Sequence, residues 1–155
     1  MTDSLQHYRN GAVVRLRLDR PGLHNAFDAD LIASLTAALV AIGSDRTVRV
    51  VVLEGAGPSF SAGADLNWMH SMITASEDKN RVDALALAGL MRTLDDLPHP
   101  TIARVHGAAF GGGGPRADEI STLTNGRALE PIRVYAGLAS APTIQERAEL
   151  VVSEL

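Results

Sequence analysis

The feature that most constrains the fold is a dense, mostly β-branched run from Val48 to Leu53. Such a run, which lacks polar alternation, is typical of a strand buried on both faces of a parallel sheet. A second strand is predicted from Ala12 to Leu18, before the break at Asp19-Arg20-Pro21-Gly22. A helical pattern lies between these two strands, as a parallel crossover requires. The sequence therefore predicts an α/β fold.

Three segments show the three- and four-residue spacing of apolar residues that predicts a helix. They are expected to begin near residues 28, 66 and 76 and to end near residues 43, 72 and 97. Ser76 is the expected N-cap of the third helix, and Pro98 cannot continue it. Further strands are expected at residues 101–105 and 133–138, and a terminal helix at residues 144–155.

Composition excludes several classes of protein. A chain of 155 residues is long enough for one domain with a core, and its net charge of −4 argues against a nucleic-acid binder. No apolar run is long enough to span a bilayer, and Met1 to Ser4 lack the features of a signal peptide. The absence of cysteine excludes disulfides and a thiolate site. We expect a cytoplasmic protein with no nucleic-acid or membrane partner.

Three loops of small residues follow predicted strands. Ligands of α/β folds bind where strands feed loops at their carboxyl ends, and small side chains let a ligand carbonyl approach the main chain. Backbone N–H groups in such loops can stabilise a developing negative charge, so the residues alone indicate an oxyanion site. The loops are Asn25-Ala26-Phe27, Phe60-Ser61-Ala62-Gly63-Ala64-Asp65-Leu66 and His106-Gly107-Ala108-Ala109-Phe110-Gly111-Gly112-Gly113.

Other kinds of site fit the sequence less well. The segment from Gly57 to Ser61 approaches a serine-hydrolase elbow but lacks its closing glycine. The run from Gly111 to Gly114 is followed by Pro115-Arg116 rather than Gly-Lys-Ser/Thr, so it is not a phosphate-binding loop of that type. The histidines are scattered, and no metal site is expected. Taken singly, each glycine-containing loop is more simply a turn.

Taken in order, the motifs resemble those of the crotonase superfamily, the enoyl-CoA hydratase/isomerase family. The resemblance covers about residues 13–113 and implies an α/β fold of repeated strand–strand–helix units, the ClpP/crotonase spiral, with its C-terminal part incomplete here. The continuation from Asp65 to Met69 resembles the methylglutaconyl-CoA hydratase-like branch. The segments that carry the resemblance are Arg20-Pro21 with Asn25-Ala26-Phe27, Val50–Leu53, Phe60–Leu66 and Arg104–Gly113.

The resemblance implies roles for particular residues. The backbone amides of Ala64 and Gly112 would form an oxyanion hole, with Gly112 opening a helix, and would stabilise the enolate of an acyl-CoA thioester. Asp65 is equally well interpreted as a helix N-cap, and Trp68 as a core residue. The positions implied to bind CoA or the acyl group are Leu23, His24, Ala62, Ala64, Asp65, Leu66, Trp68, Gly111 and Gly112.

The resemblance ends at the glycine run. Family hydratases position and protonate water with glutamates, and the first of these would fall on Pro115, which has no proton to transfer. Glu119 and Glu130 lie further on, but both are more simply surface charges. Residues 1–113 are therefore expected to form a crotonase-like core with the CoA-binding and oxyanion loops, and residues 114–155 a divergent tail.

The resemblance implies an enoyl-CoA-hydratase-like activity, the addition of water to an α,β-unsaturated acyl-CoA in fatty acid metabolism or leucine degradation. It implies no cofactor beyond the CoA carried by the substrate, and subunits of the family form trimers or dimers of trimers. The alternative is a truncated or frameshifted homologue that binds acyl-CoA without turnover.

Overall fold

A computed structural model describes residues 4–111, 114–115 and 133–134, and the side chains of residues 4–110. Five strands form one mixed sheet in the order β1-β2-β3-β4-β7, and β5 pairs separately with β6. The strands are β1 (Leu5–Asn10), β2 (Val13–Leu18), β3 (Val50–Gly55), β4 (Thr101–Arg104), β5 (Phe110–Gly111), β6 (Gly114–Pro115) and β7 (Arg133–Val134).

The predicted parallel centre of the sheet is confirmed. Strand β3 pairs in parallel with β2 on one side and β4 on the other, and none of its six residues is exposed. Strand β7 adds to the far edge of β4 in antiparallel fashion, which confirms the first two residues of the strand expected at 133–138. The remainder of that strand and the helix expected at 144–155 lie outside the described residues.

All three predicted helices are present, as α1 (Ala29–Gly43), α2 (Leu66–Thr74) and α3 (Glu77–Asp95). Asp28 caps α1 by accepting a hydrogen bond from the Leu31 amide, and Ser76 caps α3 as predicted. The core lies between α1 and the sheet, since the apolar stripe of α1 packs on the inward side chains of β1, β2 and β3. None of the described helices is long and apolar enough to cross a membrane.

Two features differ from the sequence prediction. Strand β1 is an additional edge strand, antiparallel to β2, and only Leu5 of its six residues is buried. The helix expected to open at Gly112 is wrong, because Gly114–Pro115 pairs back onto Phe110–Gly111 as a short antiparallel ladder. Proline disfavours the α conformation of the residue before it, so Pro115 biases Gly114 towards extended backbone.

Candidate oxyanion and acyl-CoA site

The three loops singled out in the sequence lie side by side. The first is joined to the second by a parallel bridge between Phe27 and Ala64, and the second to the third by a parallel bridge between Ser61 and Ala109. The Phe110 amide donates to the Ser61 carbonyl over 2.9 Å, which extends the second contact by one residue. The loops therefore form one layer of backbone at the carboxyl ends of β2, β3 and β4, where α/β proteins bind ligands.

Asn25 fixes the first loop against the second. Its side chain accepts a hydrogen bond from the Arg20 amide at 2.9 Å and donates to the carbonyls of Ala56 and Ser59, each at 2.8 Å. It is 0% exposed and has a left-handed backbone with φ of 55°. Asparagine tolerates that conformation better than most residues, and its amide group supplies both the donors and the acceptor that this position needs.

Ser61 lies where all three loops meet. Its hydroxyl donates to the Asn25 carbonyl and accepts from the Gly63 amide, both at 3.1 Å. Its own amide and carbonyl pair with Ala108 and Phe110 of the third loop. Because the residue is 5% exposed, nearly every polar atom that it carries is committed to the protein.

The direction of the Ala64 amide follows from the peptide plane that it shares with Gly63. The Gly63 carbonyl accepts a 2.7 Å hydrogen bond from Phe27, so it points towards the first loop. In a planar trans peptide the N–H points opposite to the carbonyl, so the Ala64 N–H points away from Phe27. Among the described residues it has no hydrogen-bond acceptor. An amide directed and unpaired in this way is able to bind a ligand oxygen.

Close backbone packing holds the third loop against the second. Gly107 has a φ of +58°, and a Cβ built on it would lie 2.0 Å from the Pro58 carbonyl oxygen. No side chain fits at that distance, so glycine is required here for both conformation and space. The neighbouring His106 contributes a 2.8 Å contact between its Nε2 and the Gly57 carbonyl oxygen.

Asp65 is the N-cap of α2, which confirms that interpretation. Its carboxylate accepts hydrogen bonds from the amides of Asn67 and Trp68, and Arg20 lies 3.1 Å away. Burial raises the pKa of Asp65, but the Trp68 and Asn67 amides and the Arg20 guanidinium outweigh it and hold the pKa below its ordinary value. Arg20 also pairs with Asp28 at 2.6 Å, so one cation joins the starts of α1 and α2.

The residues expected near the CoA nucleotide lie at the outer end of this layer. Leu23 ends a 3₁₀ turn, Pro21–Leu23, and His24 follows in left-handed conformation; both are exposed. The His24 Nδ1 is 3.0 Å from the Ser59 hydroxyl, and the His24 carbonyl accepts from the Ala62 amide at 2.8 Å. In the part of the chain that the structure describes, no group of three His, Cys, Asp or Glu side chains is arranged to hold a metal ion.

Trp68 faces a groove between the helices. It is partly buried against the core and lines a space of about 400 Å³ together with small residues of α1 and α3. Its indole Nε1 is buried and has no hydrogen-bond partner among the described residues. Leu66, two residues earlier and the first residue of α2, is 80% exposed. The two residues of α2 expected near a ligand thus lie in different environments.

The structure brings most of the expected site residues together. Ala62, Ala64 and Asp65 belong to the second loop, Leu23 and His24 directly precede the first, and Gly111 belongs to the third. Gly112, Glu119 and Glu130 lie outside the described residues, and only the backbone of Pro115 is described. No sequence pattern indicated a role for Asn25 or Ser61; the signal available was the single amide side chain and the single hydroxyl within the three loops.

Comparison with known proteins assigns the family. The model of the enoyl-CoA hydratase/isomerase family matches residues 8–115. Carnitinyl-CoA dehydratase of Salmonella arizonae is 39% identical over 118 residues, covering 73% of this chain and 42% of the relative. The 4-chlorobenzoyl coenzyme A dehalogenase-2 of an Arthrobacter species is 38% identical over 112 residues, covering 71% of this chain and 40% of the relative.

Solved structures give the same result for the fold. An enoyl-CoA hydratase from Shewanella pealeana superimposes with a TM-score of 0.68 at 42% identity, covering 70% of this chain and 41% of that one. An enoyl-CoA hydratase from Mycobacterium smegmatis gives a TM-score of 0.65 at 36% identity, covering 68% of this chain and 41% of that one. The chain has the crotonase fold and belongs to the enoyl-CoA hydratase/isomerase family of the crotonase superfamily.

The likeness covers only part of those proteins. The chain spans about two fifths of the length of the curated relatives that it matches. The family as a whole acts on acyl-CoA substrates, and the relatives named above carry out different reactions on them. Membership therefore fixes the ligand class of the family and leaves the reaction of this chain open.

Proposed function

We propose that this chain binds the thioester of an α,β-unsaturated acyl-CoA and stabilises its enolate between the backbone amides of Ala64 and Gly112. Addition of water to the β-carbon forms the enolate; the added water loses one proton and the α-carbon gains one, which is the net reaction of an enoyl-CoA hydratase. The ligand carbonyl oxygen gains negative charge as the enolate forms, and two fixed N–H donors stabilise that charge more than they stabilise the ground state.

The observation that carries the proposal is the bridge between Ser61 and Ala109. The bridge is parallel, and the Phe110 amide extends it by donating to the Ser61 carbonyl. Ala64 and Gly112 each follow the bridged residue of their own loop by three positions in the sequence. The bridge therefore joins the loop of Ala64 to the loop that leads to Gly112, which supports a site shared by the two amides. The Ala64 N–H, directed away from Phe27 and without an acceptor among the described residues, supports the same role.

The remaining expectations are proposals of the same kind. Ala62, Asp65, Leu66 and Gly111 belong to the joined loops that would hold the CoA moiety, and Leu23 and His24 directly precede the first of them. Trp68 lines the groove between α1 and α3, which is where we place the acyl group. The only support for a methylglutaconyl-type acyl group, and hence for leucine degradation, is the motif from Asp65 to Met69. Assembly into trimers is proposed on the family resemblance alone.

Two measurements test the proposal. Isothermal titration with crotonyl-CoA, and with CoA as a control, measures thioester binding. The loss of the conjugated enoyl-thioester absorbance measures hydration. We expect crotonyl-CoA to bind more tightly than CoA, because only the thioester offers a carbonyl to the amides. Binding without turnover would identify an acyl-CoA-binding homologue, and no binding by folded protein would refute the proposal.

A matched pair of variants isolates the second amide. Gly112→Pro removes the N–H, whereas Gly112→Ala keeps it and adds only a methyl group. If hydration is detected, the proline variant should lower kcat by roughly a hundredfold or more. The alanine variant should lose much less. Equal losses in the two variants would show that the Gly112 N–H is not the donor.

A further inference from the structure

We propose that Ser61 is a positioning residue of this site: its hydroxyl holds the peptide before Gly63 and so, together with the Phe27 hydrogen bond to the Gly63 carbonyl, keeps the Ala64 amide in one direction. The inference rests on the proposed function and adds a residue that touches neither substrate nor reacting atoms. Ser61 is buried at the junction of the three loops, and its hydroxyl joins the Asn25 carbonyl to the Gly63 amide.

Gly63 is the point at which the second loop is free to rotate. It has a φ of +81°, a conformation that few residues other than glycine adopt. Glycine loses the most conformational freedom on folding, so this backbone needs external restraint to hold one orientation. The orientation matters because the peptide plane after Gly63 carries the Ala64 N–H.

Two hydrogen bonds supply that restraint from opposite sides of the Gly63 Cα. On one side, the Gly63 amide donates to the Ser61 hydroxyl at 3.1 Å. On the other side, the Gly63 carbonyl accepts from the Phe27 amide at 2.7 Å. The second bond defines the plane of the Ala64 amide, and the first fixes the φ rotation that leads to it. Without the hydroxyl, only one of the two peptide planes is held.

The Ser61 hydroxyl is itself held in place. Its single proton is donated to the Asn25 carbonyl, which leaves a lone pair directed to the Gly63 amide. The Ser61 backbone is paired with Ala108 and Phe110, so the Cβ position is fixed by the third loop. The same residue therefore ties the Ala64 amide to the loop that leads to Gly112, which would keep the two donors in a constant relation.

The first test needs no ligand. In Ser61→Ala, hydrogen exchange of the Gly63 amide should become faster by roughly tenfold, because its acceptor is lost. In Ser61→Cys, which retains a weak acceptor, the increase should be smaller. The control is Thr93→Val, which removes a hydroxyl that donates to the Gly89 carbonyl at 2.8 Å on α3. Thr93→Val should leave exchange at Gly63 unchanged.

The second test measures polarisation of a bound carbonyl. Bound 2,4-hexadienoyl-CoA should absorb at longer wavelength than the free compound, because hydrogen bonds to its thioester oxygen draw charge along the conjugated chain. We expect Ser61→Ala to lose most of this red shift while its Kd stays within about threefold of wild type. Ser61→Cys should recover part of the shift, and Thr93→Val should keep all of it.

The outcomes separate this inference from the proposed function. A full red shift in folded Ser61→Ala, or a loss of binding with the shift retained in the bound fraction, would overturn the positioning role. If Ser61→Ala does not fold, Ser61→Cys decides alone: a partial shift supports the role and an unchanged shift overturns it. If the wild-type chain binds no hexadienoyl-CoA, the proposed function has failed, and with it the catalytic meaning of any change in exchange at Gly63.

Discussion

The three joined loops bury polar side chains, whereas the outer sides of α2 and α3 expose apolar ones. In the loops, Asn25 and Ser61 are buried polar residues whose hydrogen bonds are met within the described chain. On the helices, large apolar side chains are exposed, with Leu66 at 80% and Ile73 at 75%. Val82 and Leu85 on α3 are also exposed.

The difference predicts how strongly a substitution in each region changes the stability of the fold. A buried polar group that has its partners is stable in place and costly to disturb. An exposed apolar side chain contributes little to the stability of the part described here. Substitutions in the loops should therefore lower the unfolding free energy strongly, whereas substitutions on the outer sides of the helices should change it little.

The largest effect is expected for Asn25→Ala. The change leaves two buried carbonyls and the Arg20 amide without partners and places alanine at a positive φ, so it should cost roughly 4 kcal/mol of unfolding free energy. Urea unfolding followed by the fluorescence of Trp68 measures this loss. The matched control is Asn67→Ala at an exposed position of α2, which should cost well under 1 kcal/mol. Similar costs at the two positions would contradict the importance of the loop network.

A slightly smaller effect is expected for Gly107→Ala. The added Cβ meets the Pro58 carbonyl, and the left-handed backbone adds strain, so the cost should be about 3 kcal/mol. The same substitution at Gly89, in the interior of α3 with open space around it, should stabilise the protein by about 0.5–1 kcal/mol. Thermal unfolding of both variants gives the comparison, and opposite signs are the expected result.

The charged cap at Asp65 should give an intermediate effect. Asp65→Ala removes the N-cap of α2 and one of the two carboxylates paired with Arg20, and should lower the unfolding free energy by about 2 kcal/mol. Asp65→Asn keeps a capping side chain and should cost less. Unfolding free energies of both proteins measured against pH isolate the contribution of the negative charge, because aspartate titrates and asparagine does not.

The pH dependence has a defined sign. The pKa of Asp65 is lower in the folded chain than in the unfolded chain, so the ionised carboxylate stabilises the fold. This contribution is complete above the unfolded pKa of about 3.9 and is lost as the pH falls through the lower folded pKa. Asp65→Asn should therefore weaken the loss of stability at acid pH. If this variant loses as much stability at low pH as the wild type, the loss must come from other carboxylates.

The smallest effect is expected on the outer side of the helices. Ile73→Gln replaces a largely exposed apolar side chain and should change the unfolding free energy by no more than about 0.5 kcal/mol. Chemical denaturation measures the change. A loss above about 1.5 kcal/mol would show that Ile73 is covered in the folded chain, and the contrast between loops and helices would then be wrong.

The sequence was sufficient where a local pattern determines structure. Helix α1 has an acidic cap and a continuous apolar stripe, and β3 has an uninterrupted apolar run, so both were predictable. Strand β1 was missed because it lies at the sheet edge and only Leu5 is buried. The five residues that follow Leu5 are polar or aromatic, so the strand shows no alternation of apolar and polar side chains. The helix predicted at Gly112 failed because Pro115 biases the preceding residue towards extended backbone.

The candidate site was predictable as a set of loops but not as a network. Glycine and alanine in three successive loops indicated close backbone approach, and their order indicated the family. The roles of Asn25 and Ser61 depend on carbonyls and amides contributed by distant parts of the chain, such as Ala56 and Ala108. No periodicity or spacing encodes those contacts, so they became visible only in three dimensions.

The central claim is that the joined loops present a preorganised pair of amides to a thioester oxygen. The most direct test is the ¹³C chemical shift of the thioester carbonyl in crotonyl-CoA labelled at C1, recorded free and bound to this chain. We predict a downfield shift on binding, because hydrogen bonds to the oxygen withdraw electron density from the carbonyl carbon. Saturable binding with the free chemical shift retained would contradict the claim.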